Sequence, residues 1–342
     1  MKIAIISKLW ENTSPNSTGG TGSSVGNLVN ELVKQGHNVT LFATKMSKTN
    51  AQKLVAFKSK PYNEDYSEIM EYVTIAEAFD PKYKFDLIHA HVEHKSLFFG
   101  NLTNTPTLHT IRYGEFFDQE TALLKKHKKQ FFAANSKALI TKYPYLNYLG
   151  YSYNGLDLSK FPFNDKPKPY LFFLGRISPQ KGAIDAIKIA KKAKMPIYLA
   201  GKMVEADQVF IKQIKQEFKK KGITYLGELN FKEKIKYLKN AYCLLQPTDT
   251  KNFFEACSNT ILESMAVGTP VITTNSGSNK ELVQHGKTGF IINSVDQAVK
   301  AVKKAKDLKR EDCRKRIEKY FTIERMANGY LKIYKKLINK AK

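Results

Sequence analysis

The stretch Glu255-Ala-Cys-Ser-Asn-Thr-Ile-Leu-Glu263, running on into Ser264-Met-Ala-Val-Gly-Thr-Pro-Val-Ile-Thr273, decides how the chain is read. Residues 259–267 carry helical spacing, Gly268-Thr269-Pro270 forms a turn, and Val271 and Ile272 open an apolar strand. The two glutamates lie eight positions apart. Glu263 has Ile261, Leu262, Met265 and Ala266 as neighbours, so it is not solvent decoration on a helix. A carboxylate in such surroundings needs a hydrogen-bonding partner or a ligand, because an unpaired buried charge is very costly.

A second segment lies upstream. Tyr170 to Gly182 reads Y-L-F-F-L-G-R-I-S-P-Q-K-G: an apolar strand, a glycine, then Arg176 and Lys181 around a proline-containing turn before a helix. Free backbone N–H groups and the helix dipole favour an anion at such a junction. Arginine adds a forked donor matched to phosphate oxygens, and lysine adds a mobile point charge. Either cation alone would read as an incidental surface residue of a loop.

The E-x7-E spacing with S-M-A-x-G-T-P-V-I, preceded by G-R-x-x-x-x-K-G, resembles the donor-site signature of retaining family 4 glycosyltransferases, the glycogen-synthase-like or group 1 enzymes. The resemblance covers essentially the whole chain and implies the GT-B fold, an α/β fold of two Rossmann-like parallel-sheet domains facing a central cleft. It places an acceptor-side domain at 1–162, a nucleotide-sugar domain at 163–321, and a helix at 322–342 packing back on the first domain. It also implies that Arg176 and Lys181 grip the donor diphosphate, that Glu255 orients sugar hydroxyls, and that Glu263 accepts from the ribose diol. Ser258, Asn259 and Thr260 complete the donor pocket. Family members often carry Gly-Phe-Gly or Pro-Phe-Gly after the first glutamate, where this chain has Ala256-Cys257-Ser258. That departure leaves the donor sugar open, and Ser258 and Asn259 also suit helix capping.

Strand and helix patterns alternate along the chain. Strands are expected at Lys2–Ser7, Asn38–Thr44, Asp86–His91, Thr107–Arg112 and Gln130–Ser136, with helices at Ser23–Gln35 and Tyr66–Phe79. The plan then restarts with strands 170–175, 196–201, 223–227, 241–246 and 270–274, and helices 180–194, 205–221, 231–239, 259–267 and from 295 onward. Continuous apolar strands between helices predict parallel sheets covered on both faces. The three prolines of Phe161–Pro169 mark a linker, and a last helix is expected over Ile323–Leu337.

The first half has its own signals. Thr18-Gly19-Gly20-Thr21-Gly22 follows the first strand and opens the first long helix, where small residues let a ligand approach the backbone. The resemblance assigns Gly19 and Gly20 to the donor. Histidines gather at strand ends: His89, His91, His94 and His109. Clustered histidines also suit a metal, but no carboxylate pair or D-x-D pattern completes a divalent-metal diphosphate site. Arg176 and Lys181 would supply that charge, so no metal or other cofactor is expected. His109 is matched to the family histidine of the T-x-H strand, beside the reaction centre, and His91 and Arg112 are placed on the acceptor side.

The net charge is +25, with 19 basic against 14 acidic residues through Lys160 and 37 against 17 after it. Most of that excess reads as lysines on solvated helix faces. Asp118–Phe132 mixes Leu123, Leu124, Phe131 and Phe132 with four lysines, which raises the expectation of peripheral contact with an anionic membrane. Three scattered cysteines, no bilayer-spanning stretch and no signal-peptide cleavage site point to the cytoplasm. The expected activity is retaining, metal-independent transfer from a nucleotide-diphosphate sugar, UDP favoured, to a glycan, lipid-linked or small-molecule acceptor. The rivals are another GT-B enzyme (a DNA-modifying glucosyltransferase, an epimerase or a phosphorylase) and a non-catalytic nucleotide-sugar or nucleic-acid binding protein; nucleic acid is the less favoured partner.

Overall fold

The computed structural model describes residues 1–17, 19–57, 67–203 and 208–341. The chain forms two compact units: Met1–Gly155 with the residues from Thr322 onward, and Leu156–Phe321.

The first unit is built on β1 (Lys2–Ile6), β2 (Asn38–Phe42), β3 (Lys53–Val55), β4 (Leu87–Ala90), β5 (Thr107–Ile111), β6 (Phe131–Ala134) and β7 (Tyr148–Tyr151), in the order β3-β2-β1-β4-β5-β6-β7. Every pairing is parallel. Because successive strand residues point to opposite faces, Ile3 and Ile5 meet Val25, Leu28 and Leu32 of the helix Gly20–Lys34. Ala4 and Ile6 meet Ile75 and Ala78 of the helix Glu68–Ala78 on the other face. Tyr66, expected at the start of that second helix, lies outside the described residues. The last helix, Ile323–Ala341, contributes Met326, Ala327, Tyr330, Ile333, Tyr334 and Leu337 to the same cluster as Ile3 and Ile5.

The second unit holds β8 (Leu171–Leu174), β9 (Ile197–Ala200), β10 (Ile223–Tyr225), β11 (Cys243–Gln246), β12 (Val271–Thr274) and β13 (Gly289–Ile292), ordered β10-β9-β8-β11-β12-β13 and again parallel throughout. Leu171 and Phe173 pack with Ala186, Ile187 and Ala190 of the helix Ala183–Ala193. On the opposite face Phe172 stacks on Tyr237, ring centroids 5.8 Å apart. The helix expected over 205–221 is seen as Gln208–Phe218; residues 205–207 lie outside the described set.

In both sheets the chain runs outward over three strands and then returns to the far side of the strand it started from. The order therefore reverses between β1 and β4, and between β8 and β11. Helices leave to opposite faces at such a point and open a crevice at the carboxyl ends of the two strands.

One expectation changes. The boundary moves from 162/163 to between Gly155 and Leu156. Leu156 N–H bonds the carbonyl of Phe321 (2.9 Å), Arg314 donates to the Phe161 carbonyl (2.6 Å), and Arg310 donates to that of Asn164 (2.6 Å). The proline-rich segment is thus moored to the second unit. In the helix Asp118–Lys126 Leu124 is fully buried and Leu123 half-buried, Phe131 and Phe132 pack into β6, and the lysines lie at the surface beside an exposed Phe117. Among the described residues, no helix is long and apolar enough to cross a membrane.

Arg310 is buried and also donates to the carbonyls of Ala241 (3.0 Å) and Lys239 (2.9 Å) and to Thr269 Oγ1 (2.5 Å). Arg310→Met would strand several acceptors, each costing about 1–3 kcal/mol. Chemical denaturation should show the variant destabilised by about 3 kcal/mol or more; a loss under about 1 kcal/mol would mean that water replaces the guanidinium freely.

Candidate active site

In the second unit the loops after β8 and β11 meet at the strand-order reversal. Gly175 and an exposed Arg176 leave β8, and Pro179 to Gly182 form a turn closed by Gly182 N–H to the Pro179 carbonyl (2.9 Å). Gly182 has φ +76°, and a Cβ there would sit 2.0 Å from the Pro247 carbonyl oxygen. Only glycine serves both needs. The turn delivers Lys181 onto Glu255, which ends the loop after β11: Nζ pairs with Oε1, and the same ammonium lies 4.2 Å from the Phe253 ring centroid.

Glu255 is fixed at backbone and side chain. Gln246 Nε2 (3.0 Å) and Thr248 Oγ1 (3.4 Å) also donate to Oε1. Its N–H bonds Ser276 Oγ (3.1 Å), and its carbonyl accepts from Ser278 N–H (2.8 Å). All these side-chain donors act on one carboxylate oxygen.

Ser258 caps the helix Asn259–Ala266, accepting from Ile261 N–H at 3.5 Å, and bonds Gln246 at 3.1 Å. Capping the helix and holding Gln246 are thus done by one hydroxyl. Asn259 and Thr260 are half-buried at the start of that helix. Glu263, one turn on, is buried and ion-paired with Lys234 at 2.7 Å. Lys234, Gln246 and Thr248 were missed in the sequence. Gln246 had a signal, a polar residue closing the apolar strand C-L-L-Q, whereas Lys234 is one lysine among many.

In the first unit the glycine-rich segment receives the chain's own carboxylate. Glu11 Oε1 accepts from Gly22 N–H (2.8 Å) at the N-terminus of the helix Gly20–Lys34. A Cβ on Gly19 would fall 1.2 Å from Glu11 Oε2, one on Gly22 2.4 Å from the Asn12 carbonyl oxygen, and one on Gly26 2.6 Å from the Ser14 backbone. The glycines thus admit the segment Glu11–Pro15, and the Glu11 carboxylate lies at the N-terminus of the helix that Gly20 opens. Burial raises the Glu11 pKa; the Gly22 and Thr21 N–H groups and the charges of Lys8 and Arg112 oppose that shift in part.

The histidines separate into two groups. His109 is the third of five residues in β5, buried, with Nδ1 2.8 Å from Ser96 Oγ. Burial lowers its pKa to about 3. The strand runs two residues beyond it, so the group past the carboxyl end of β5 is Arg112. Its guanidinium donates to His91 Nδ1 (2.9 Å), Asn154 Oδ1 (2.8 Å) and Tyr330 OH (3.4 Å). His89 spends both nitrogens, on Tyr334 OH (2.7 Å) and Thr110 Oγ1 (2.6 Å). Among the described residues no three His, Cys, Asp or Glu side chains group as metal ligands would.

Residues 157–321 match the family model "Glycosyl transferases group 1", and residues 18–142 match "Glycosyltransferase Family 4". The chain belongs to this family of glycosyltransferases. A relative described as an uncharacterized 41.2 kDa protein in the cps region of Klebsiella pneumoniae is 28% identical over 179 residues, spanning 50% of this chain and 47% of that protein. Sucrose-phosphate synthase from Thermosynechococcus elongatus superposes with a TM-score of 0.81 at 16% identity, over 99% of this chain and 100% of the other. Anabaena HepE, solved with UDP-glucose, gives 0.69 at 16% identity over 99% of each chain. The two parallel-sheet units are thus those of the GT-B fold.

A carboxyl group whose pKa is raised by folding stabilises the fold below its unfolded value and loses that contribution as pH rises through the folded value. Replacing Glu11 by Gln keeps an acceptor for Gly22 N–H and removes the charge. Glu11→Gln should therefore gain stability relative to the parent as pH is taken from 4 to 7. Denaturation at the two pH values measures this, and an unchanged difference would show that the buried charge costs nothing.

Proposed function

We infer that this glycosyltransferase moves a sugar from a nucleotide-diphosphate donor to a glycan or lipid-linked acceptor, with retention of configuration and without a metal. The observation that carries the reading is the meeting of Lys181 and Glu255 at the β8/β11 reversal, beside the exposed Arg176 and the N-terminus of the helix Ala183–Ala193. Cations and a helix N-terminus together suit a diphosphate. Glu255 uses Oε1 for protein donors and leaves Oε2 to a sugar hydroxyl. Glu263, steadied by Lys234, is assigned to the ribose diol. The UDP-glucose in HepE, a protein of the same fold, supports a UDP-sugar as donor. A glycan or lipid-linked acceptor is assigned to the first unit.

In this reading the bond between the anomeric carbon and the diphosphate oxygen breaks as the acceptor hydroxyl attacks from the same face. The hydroxyl proton passes to the departing phosphate oxygen. Arg176 and Lys181 stabilise the charge that collects there, an effect of preorganised donors. In this reading His109, held inside β5, is not assigned to the substrate, and His91 at the end of β4 is placed on the acceptor side.

A nucleotide-release assay over UDP-, GDP- and ADP-sugars tests the reading. Release should be strongest with one UDP-sugar and persist in chelator. Arg176→Ala should lose about 2–4 kcal/mol of transition-state stabilisation. Turnover abolished by EDTA and restored by manganese would overturn the metal-free assignment, and release with none of the donors would overturn the function.

A further inference from the structure

His91 stands one residue past β4, with its N–H bonded to the Ile6 carbonyl on β1 (2.8 Å). Its ring is therefore set where the strand order of the first sheet reverses. Nδ1 lies 2.9 Å from Arg112 Nε. A guanidinium has donors only and keeps its charge in proteins, so the direction of this bond is fixed: Arg112 gives, and His91 Nδ1 offers its lone pair. A neutral imidazole with its lone pair at Nδ1 carries its proton on Nε2. The ring is neutral, because burial lowers its pKa well below the ordinary value, assisted by His89, Arg112 and Lys8.

Arg112 is itself held, by Asn154 Oδ1 at 2.8 Å and by Tyr330 OH at 3.4 Å. Arg112 and His91 thus form a chain of donors whose last atom is His91 Nε2. That atom is buried and has no partner among the described residues. A buried N–H without an acceptor is costly and asks for an explanation. His89 gives the contrast: two residues earlier on the same face of β4, it has a bond at each nitrogen.

We propose that Arg112 is a positioning residue that locks His91 as a neutral Nε2–H donor to an oxygen of the sugar bound at the carboxyl end of the first sheet. It rests on the glycosyl-transfer reading for the ligand, and on this sheet alone for the tautomer. His91 then cannot be a general base, since one nitrogen is engaged by Arg112 and the other already bears the proton. Glutamine can imitate this arrangement, offering Oε1 to Arg112 and its amide N–H groups to the ligand; leucine cannot.

The decisive measurement is nitrogen NMR of the whole chain labelled with ¹⁵N-histidine, without substrate, with the His91 signals assigned by their loss in His91→Gln. Nε2 should be protonated and Nδ1 bare, unchanged across about pH 5 to 8. In Arg112→Met the signals should shift toward the other tautomer or begin to titrate in that window. In the transfer assay His91→Leu should lose about 100-fold or more in kcat, the scale of one missing donor, while His91→Gln stays within about 10-fold of the parent. A proton on Nδ1 in the parent, titration near the ordinary value of about 6.5, or equal loss in folded Gln and Leu variants overturns the proposal. Where no protein shows transfer, the tautomer measurement still decides the Arg112–His91 arrangement, and the reading of the function fails instead.

Discussion

Both faces of the inner strands are covered, and that constraint governs where anything chemical can sit. Ile3, Ala4, Ile5 and Ile6 in β1 and Leu171, Phe172 and Phe173 in β8 are buried without regard to which face they point to. A polar side chain in the middle of such a strand must find a partner inside the protein, as His89 does at both ring nitrogens and His109 at Nδ1. Groups meant for a ligand are pushed to the strand ends, and the reversal of strand order selects which ends. Lys181 follows β8 and Glu255 follows β11; Glu11 follows β1 and His91 follows β4. Each unit solves the same geometric problem with different residues.

The Lys181–Glu255 pair contributes little to stability by itself, since the desolvation of two charges largely offsets their attraction. Its value lies in orientation. Gln246, Thr248 and the ammonium all bind one oxygen of Glu255, and Ser276 and Ser278 hold its backbone. A carboxylate so constrained presents its second oxygen in one direction, at no entropic cost when a ligand arrives. The first unit applies a similar logic through Arg112, which is anchored by Asn154 and Tyr330 before it reaches His91.

The inner strands were legible in the sequence because full burial writes a continuous apolar run. The strands that went unread are β3, β7 and β13, and all three lie at sheet edges. An edge strand packs against one neighbour, needs few apolar residues and stays short: β3 is Lys53–Val55, two of its three residues exposed. Arg176, Lys181, Glu255 and Glu263 stood out in the sequence because they fall in two compact motifs, and the structure pairs Lys181 with Glu255. In the first unit Gly19, Gly22 and Gly26, three and four positions apart, leave room for the segment Glu11–Pro15, a packing that the glycine-rich run alone does not announce. His109 was grouped with the strand-end histidines although its strand was expected to run on to Arg112; it is the third of the five residues of β5.

The helix Ile323–Ala341 completes the core of the unit that contains Met1–Gly155. That places a constraint on biosynthesis. A ribosome moving at about 5–20 residues per second needs roughly 10 to 40 s to travel from Gly155 to the end of that helix. Throughout that interval the nascent sheet lacks Tyr330, Tyr334 and Leu337, and the surface formed by Ile3, Ile5 and the helix Gly20–Lys34 is uncovered. The contiguous stretch Leu156–Phe321 meets no such delay. The part of the protein made first is therefore the part finished last, and its unfinished apolar face is what a chaperone at the exit tunnel would encounter.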